Sequence, residues 1–189
     1  GQFAHGKPHG EGKRSDASGN EFSGQFVNGE LEGNGVFNSA DGDQYEGAFK
    51  HNQLNGKGRY ENADGDVWIG EFKDGALTGK GELIGIDGSH YRGMFSEWRF
   101  NGPGHLSMAD GSSYDGEFVA DTYHGQGTLT LSDGTVQSGL WRNGQLVRDA
   151  KGNLLPDPLD LGLLNQGTLL NEALASVAPS TPAIELYSL

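Results

Sequence analysis

The chain has 189 residues, 34% of them hydrophobic, with 33 glycines and no cysteine; this argues against a thick core and excludes disulfides, thiolate metal sites and a cysteine nucleophile in this chain. Residues 1–148 carry 12 basic against 21 acidic side chains, net −9, and residues 149–189 carry 1 against 5, net −4, so neither part is built to meet phosphate backbones and no nucleic-acid partner is expected. Aromatic residues at 10% contradict ordinary disorder, and no apolar run approaches the roughly 18 residues of a membrane span.

From the N-terminus onward the chain repeats itself every 23 residues. An aromatic column runs through Phe22, Tyr45, Trp68, Tyr91 and Tyr114. Two residues later comes a glycine column, Gly24, Gly47, Gly70, Gly93, Gly116 and Gly139. Two further on stand Phe26, Phe49, Phe72, Phe95, Phe118 and Trp141. Gly1 and Phe3 are already in phase with it. A spacing of two places all three columns on one face of an extended strand, with Glu46, Arg92, Asp115 and Glu117 facing the other way. A second glycine pair (Gly33/Gly35, Gly56/Gly58, Gly79/Gly81, Gly102/Gly104, Gly125/Gly127) lies in a second strand that points Phe37, Tyr60, Leu83, Leu106 and Leu129 inward. Asp-Gly at 41/42, 64/65, 87/88, 110/111 and 133/134 then turns the chain as a tight hairpin does. Each repeat is predicted to be a β-hairpin, with an aromatic ring of one strand lying over the bare glycine backbone of its neighbour. At the usual strand spacing each repeat adds roughly 10 Å, so the array is expected to be elongated, roughly 55 to 60 Å long.

These columns resemble the MORN (membrane occupation and recognition nexus) repeat over residues 1–147, with five full repeats from Phe22 and partial units at both ends. The resemblance implies an all-β, single-layer antiparallel sheet of successive hairpins. It also implies roles in scaffolding, dimerisation, positioning of an attached domain or phospholipid binding. The −9 charge of the repeats argues against an anionic membrane surface. The expected partner is instead a protein or an attached C-terminal domain, with a homodimer as the alternative.

The pattern departs from itself at one loop. Gly29, Gly75 and Gly144 mark a turn position with positive φ, which Asn52 and Asp121 can also adopt; Trp98 in "SEWRFNG" cannot do so without strain, so that loop is expected to differ. Trp98, Phe100 and Tyr123 gather there as a candidate partner-binding patch, where other repeats have Leu31, Leu54 and Leu77. The competing reading is that the three rings only pack the loop side of the array.

His5 and His9 lie on a hairpin loop, and His51, His90, His105 and His124 fall in different columns, so they read as solvated loop residues and no metal site is expected. The aspartates of the Asp-Gly turns stand about a repeat apart, too far to share a calcium ion. No strand-to-helix nucleophile elbow and no Walker-type loop is present. Neither catalytic residues nor a cofactor are expected.

After Trp141 the period fails. Residues 148–178 read as a last hairpin and a capping amphipathic α-helix, with Asp157 and Pro158 opening it and Leu159, Leu163, Leu170, Leu174 and Val177 on one face. Residues 179–189 read as a linker and the start of a further domain. The run from Leu155 to Leu189 is similar to the segment leading from a MORN array into the peptidase domain of bacterial envelope proteins of the legumain-like, caspase-fold cysteine peptidase family. That similarity implies a catalytic Cys and His beyond Leu189 and a cell-envelope or periplasmic setting. A portion upstream of Gly1 is expected as well.

Overall fold

The computed structural model describes residues 2–4 and 7–156. They form β1 (Gln2–Ala4), β2 (Lys7–Ser15), β3 (Glu21–Val27), β4 (Glu30–Asn38), β5 (Gln44–Lys50), β6 (Gln53–Glu61), β7 (Val67–Lys73), β8 (Ala76–Ile84), β9 (His90–Ser96), β10 (Arg99–Ser107), β11 (Ser113–Val119), β12 (Thr122–Thr130), β13 (Val136–Arg142) and β14 (Gln145–Asp149). Strand order in the antiparallel sheet is chain order, as hairpin connections dictate. The fold is all-β. The helix expected between 158 and 177, the linker and the peptidase-like segment lie outside the described residues. Two compact units meet the description, one running up to Leu83 and one starting at Ile84.

In the first unit the glycines align into one row across six strands, Gly12, Gly24, Gly35, Gly47, Gly58 and Gly70. Beside it runs the row Phe22, Phe37, Tyr45, Tyr60 and Trp68, all at most 3% exposed. The second unit repeats the arrangement with Gly93, Gly104, Gly116, Gly127 and Gly139 beside Tyr91, Leu106, Tyr114 and Leu129.

The two glycine types do different work. Within a hairpin the nine-residue second strand has two more residues than its partner, so that Gly47 opposes Gly58 while Phe49 already opposes Leu54. Gly56 absorbs the excess at φ 110°, a conformation closed to other residues. Gly58 makes room instead: a Cβ there would collide with the Tyr45 ring. Tyr45 lies along the sheet over that bare backbone, and its hydroxyl donates to the Ala48 carbonyl at 2.8 Å. Tyr91 and Tyr114 repeat the contact, donating to Met94 at 2.6 Å and Glu117 at 3.0 Å. Burial raises all three hydroxyls far above the usual tyrosine range, so they remain donors. The core is the layer of rings on this one face.

The two rows of turns are built differently. At one end, pairs such as Asn28-Gly29, His51-Asn52, Asp74-Gly75 and Ala120-Asp121 have two successive positive φ values, the two-residue geometry that matches strand twist. Glu97 and Trp98, at φ 46° and 73°, take the same form. The loop therefore does not differ from its equivalents, contrary to expectation; the register of β9 with β10, Phe95 opposite Phe100, holds the strained tryptophan in place. At the other end the Asp-Gly pairs are not two-residue turns. In the turn after β4 the Gly42 N–H donates to Ser39 O and the Ser39 N–H to Asp43 O, with Gly42 at φ 99°, which is a three-residue loop closed by a left-handed glycine.

Candidate partner-contact groove

On the face opposite the rings, Val36, Glu46, Arg59 and Ile69 stand side by side across β4 to β7. A groove of about 750 Å³ opens there over the backbone of Gly35, Gly47 and Gly58, bounded further by Asn34 and Lys57. Its floor is backbone, its two ends are apolar, and a carboxylate and two cations lie between them. Arg59 also meets Glu61 at 3.1 Å on the exposed face, an ion pair worth little by itself. No hydroxyl or imidazole lines the groove; its ionisable groups are Glu46, Lys57 and Arg59. The corresponding row of the second unit is polar throughout: Arg92, His105, Asp115, Thr128 and Ser138, with Thr128 and Ser138 sharing a 2.9 Å hydrogen bond.

The patch expected at Trp98, Phe100 and Tyr123 is not an open surface. Trp98 is 9% exposed, Phe100 1% and Tyr123 0%. Phe100 stacks on Tyr91 at 3.8 Å and 8°, and Tyr123 on Tyr114 at 4.0 Å and 11°. Phe118 meets Phe100 and Tyr123 edge-on, and the Tyr123 hydroxyl points to Met108 Sδ. Phe100 and Tyr123 fill with stacked rings the sites that Leu31, Leu54 and Leu77 occupy elsewhere. The repeat columns Tyr45/Gly47/Phe49, Trp68/Gly70/Phe72, Tyr91/Gly93/Phe95 and Tyr114/Gly116/Phe118 lie where their spacing puts them.

One polar convergence was not legible in the sequence. His51 Nδ1 lies 2.7 Å from Glu30 Oε2 and 3.1 Å from Glu32 Oε1, and the His51 backbone N–H donates to Glu32 Oε1 at 3.2 Å. The separation of 19 and 21 residues in sequence hides it; only a comparison of adjacent turns, slightly less than one repeat apart, signals it. The turn aspartates act as hydrogen-bond caps. Asp87, Asp110 and Asp133 each accept from the backbone N–H two residues on. Ser39 and Asn62 fill that need from another position in earlier turns. Hydrogen bonds from Ser89 and Thr135 hold Asp87 and Asp133 below the usual carboxylate range.

The sequential hairpins, the in-register glycine row and the one-sided ring layer define a tandem β-hairpin repeat protein. The chain belongs to the MORN repeat family: the family model matches residues 1–21, 22–44, 45–67, 68–90 and 114–136, more than half of the chain. It passes over 91–113, the repeat with Trp98, Pro103 and Met108, although β9 and β10 keep the common register there. No curated protein matches the chain. Among solved structures it is similar to the SAS-4 (dCPAP) TCP domain of Drosophila melanogaster, solved in complex with a proline-rich motif of Ana2 (dSTIL). That similarity has 16% identity, 69% coverage of this chain, 73% of the other and a TM-score of 0.43.

Proposed function

We propose that this chain is a non-catalytic repeat scaffold that contacts a protein partner, or an attached domain, through the groove on the first unit. The carrying observation is the asymmetry of the two faces. The ring face is filled by the protein's own side chains, whereas the groove exposes glycine backbone beside apolar Val36 and Ile69, with Glu46 and Arg59 between them and Lys57 at its border. Such a surface suits an extended protein segment: apolar ends bury side chains, and mixed charges fix its register. The acidic balance of the repeats opposes an anionic leaflet.

A photo-crosslinking residue placed at Lys57, which is exposed, tests this in cells expressing the full natural protein. The expected result is one discrete protein adduct, or an intramolecular one to an attached domain, that is lost when Ile69→Asp is added. Adducts that ignore Ile69→Asp, or that form equally from a probe at Asp115 on the second unit, would count against the groove.

A further inference from the structure

We infer that Glu30, Glu32 and His51 form a surface site for a divalent transition-metal ion of the zinc class. One imidazole nitrogen and two carboxylate oxygens, all within 4.8 Å of one another, converge from β4 and the turn that follows β5. Nitrogen with oxygen donors suits zinc, which takes three protein ligands plus water at about 2.0–2.2 Å. Calcium and magnesium want oxygen ligands only. Two carboxylates and a neutral imidazole also balance the charge of a divalent ion. A single ring N–H serves two carboxylates poorly, while one cation at that point serves all three groups.

The other repeats provide an internal comparison. The three slots hold Gln53, Asn55 and Asp74 in one repeat, Ala76, Thr78 and Glu97 in the next, then Arg99, Asn101 and Ala120. Of these four sets, only Glu30, Glu32 and His51 fill all three slots with carboxylate or imidazole groups. In the last of these repeats the neutral Asn101 Oδ1 accepts from the Ala120 N–H at 3.3 Å, the bond that Glu32 makes to the His51 N–H. The turn therefore needs an acceptor there and has no need of charge. Two carboxylates on one imidazole exceed what the fold requires. The His51 N–H fixes one oxygen of Glu32, as an outer-shell partner orients a metal ligand. The exposed sides of His51 and Glu30 leave room for water to complete the coordination.

The test is calorimetric titration of the metal-free full chain with zinc, alongside His51→Gln and Glu32→Asn. Glu32→Asn copies Asn101, so the fold is retained, which thermal melts of both variants check. One saturable equivalent, weakened about tenfold or more in each variant and accompanied by a zinc-dependent shift of the His51 ring signals in NMR, is the expected result. No saturable binding, or binding that persists unchanged in His51→Gln, would overturn the assignment and leave an ion pair between neighbouring turns. Crosslinking at Lys57 does not depend on these residues, so the two proposals stand or fall separately.

Discussion

At Gly58 the residue and the ring above it form one unit. The Tyr45 ring occupies the space a Cβ would take, and the backbone there has no positive φ to accommodate. Gly58→Ala is therefore expected to cost about 2 kcal/mol or more through overpacking. Gly75→Asn, with open space around the position and Asn52 as its equivalent, should stay within about 0.5 kcal/mol. Urea unfolding of both separates steric from conformational roles; equal losses would contradict this account. Trp98 poses the opposite balance. Its left-handed backbone costs about 1–2 kcal/mol, but truncating a nearly buried tryptophan costs about 3–5 kcal/mol. Trp98→Gly should lose about 2 kcal/mol net; a gain in stability would show that strain outweighs burial.

Turns are the elements that respond to pH. Asp121 sits in a two-residue turn, accepts from the Phe100 N–H at 2.7 Å and lies 3.4 Å from Arg99. Burial raises its pKa despite the hydrogen bond and Arg99. The native state then binds more protons than the unfolded chain above the ordinary value of 3.8, so this carboxylate costs stability as pH rises through that window. Asp121→Asn, which copies Asn52 and its 2.7 Å bond to the Leu31 N–H, should stabilise at pH 7, with the advantage closing as pH falls towards 4. Asp16, Asp87, Asp133 and Asp149 behave oppositely. Hydrogen bonds lower them below 3.8, so their contribution is present above that value and is lost as pH falls through the lowered pKa. Urea midpoints between pH 3 and 7 for the wild type and Asp133→Asn should converge at the acid end. A constant difference would mean the cap is not ionic.

At the largest scale, among the described residues the sheet ends at β14, and such an edge has to be kept from pairing with another sheet. β14 has five residues where its equivalents have nine. The chain then turns through Asp149 to Gly152 and forms an isolated bridge, Arg148 with Leu154, while the Leu155 N–H donates to Val147 O at 2.9 Å. Pro156, lacking an N–H, follows at once. A chain ending at Asp149 should self-associate in light scattering because its edge is bare, while one ending at Pro156 should not. If both associate, the segment 153–155 is not what blunts the edge.

Much of this was written in the sequence, because a 23-residue period with alternation of two fixes strand direction, turn placement and the inward columns without any tertiary information. The spacing of Tyr45, Gly47 and Phe49 puts all three on one face for a purely local reason, the parity of a strand. What lies across strands was not legible. Whether Phe100 and Tyr123 faced solvent or stacked on Tyr91 and Tyr114 depended on register between neighbouring strands, and it buried the expected contact patch. The groove takes its lining from four neighbouring strands, which set Val36, Glu46, Arg59 and Ile69 side by side. Glu30, Glu32 and His51 meet only because adjacent hairpins set turns side by side that the chain separates by about a repeat. Period determined the elements; the lateral packing of one hairpin on the next decided which of their side chains were left for anything else to touch.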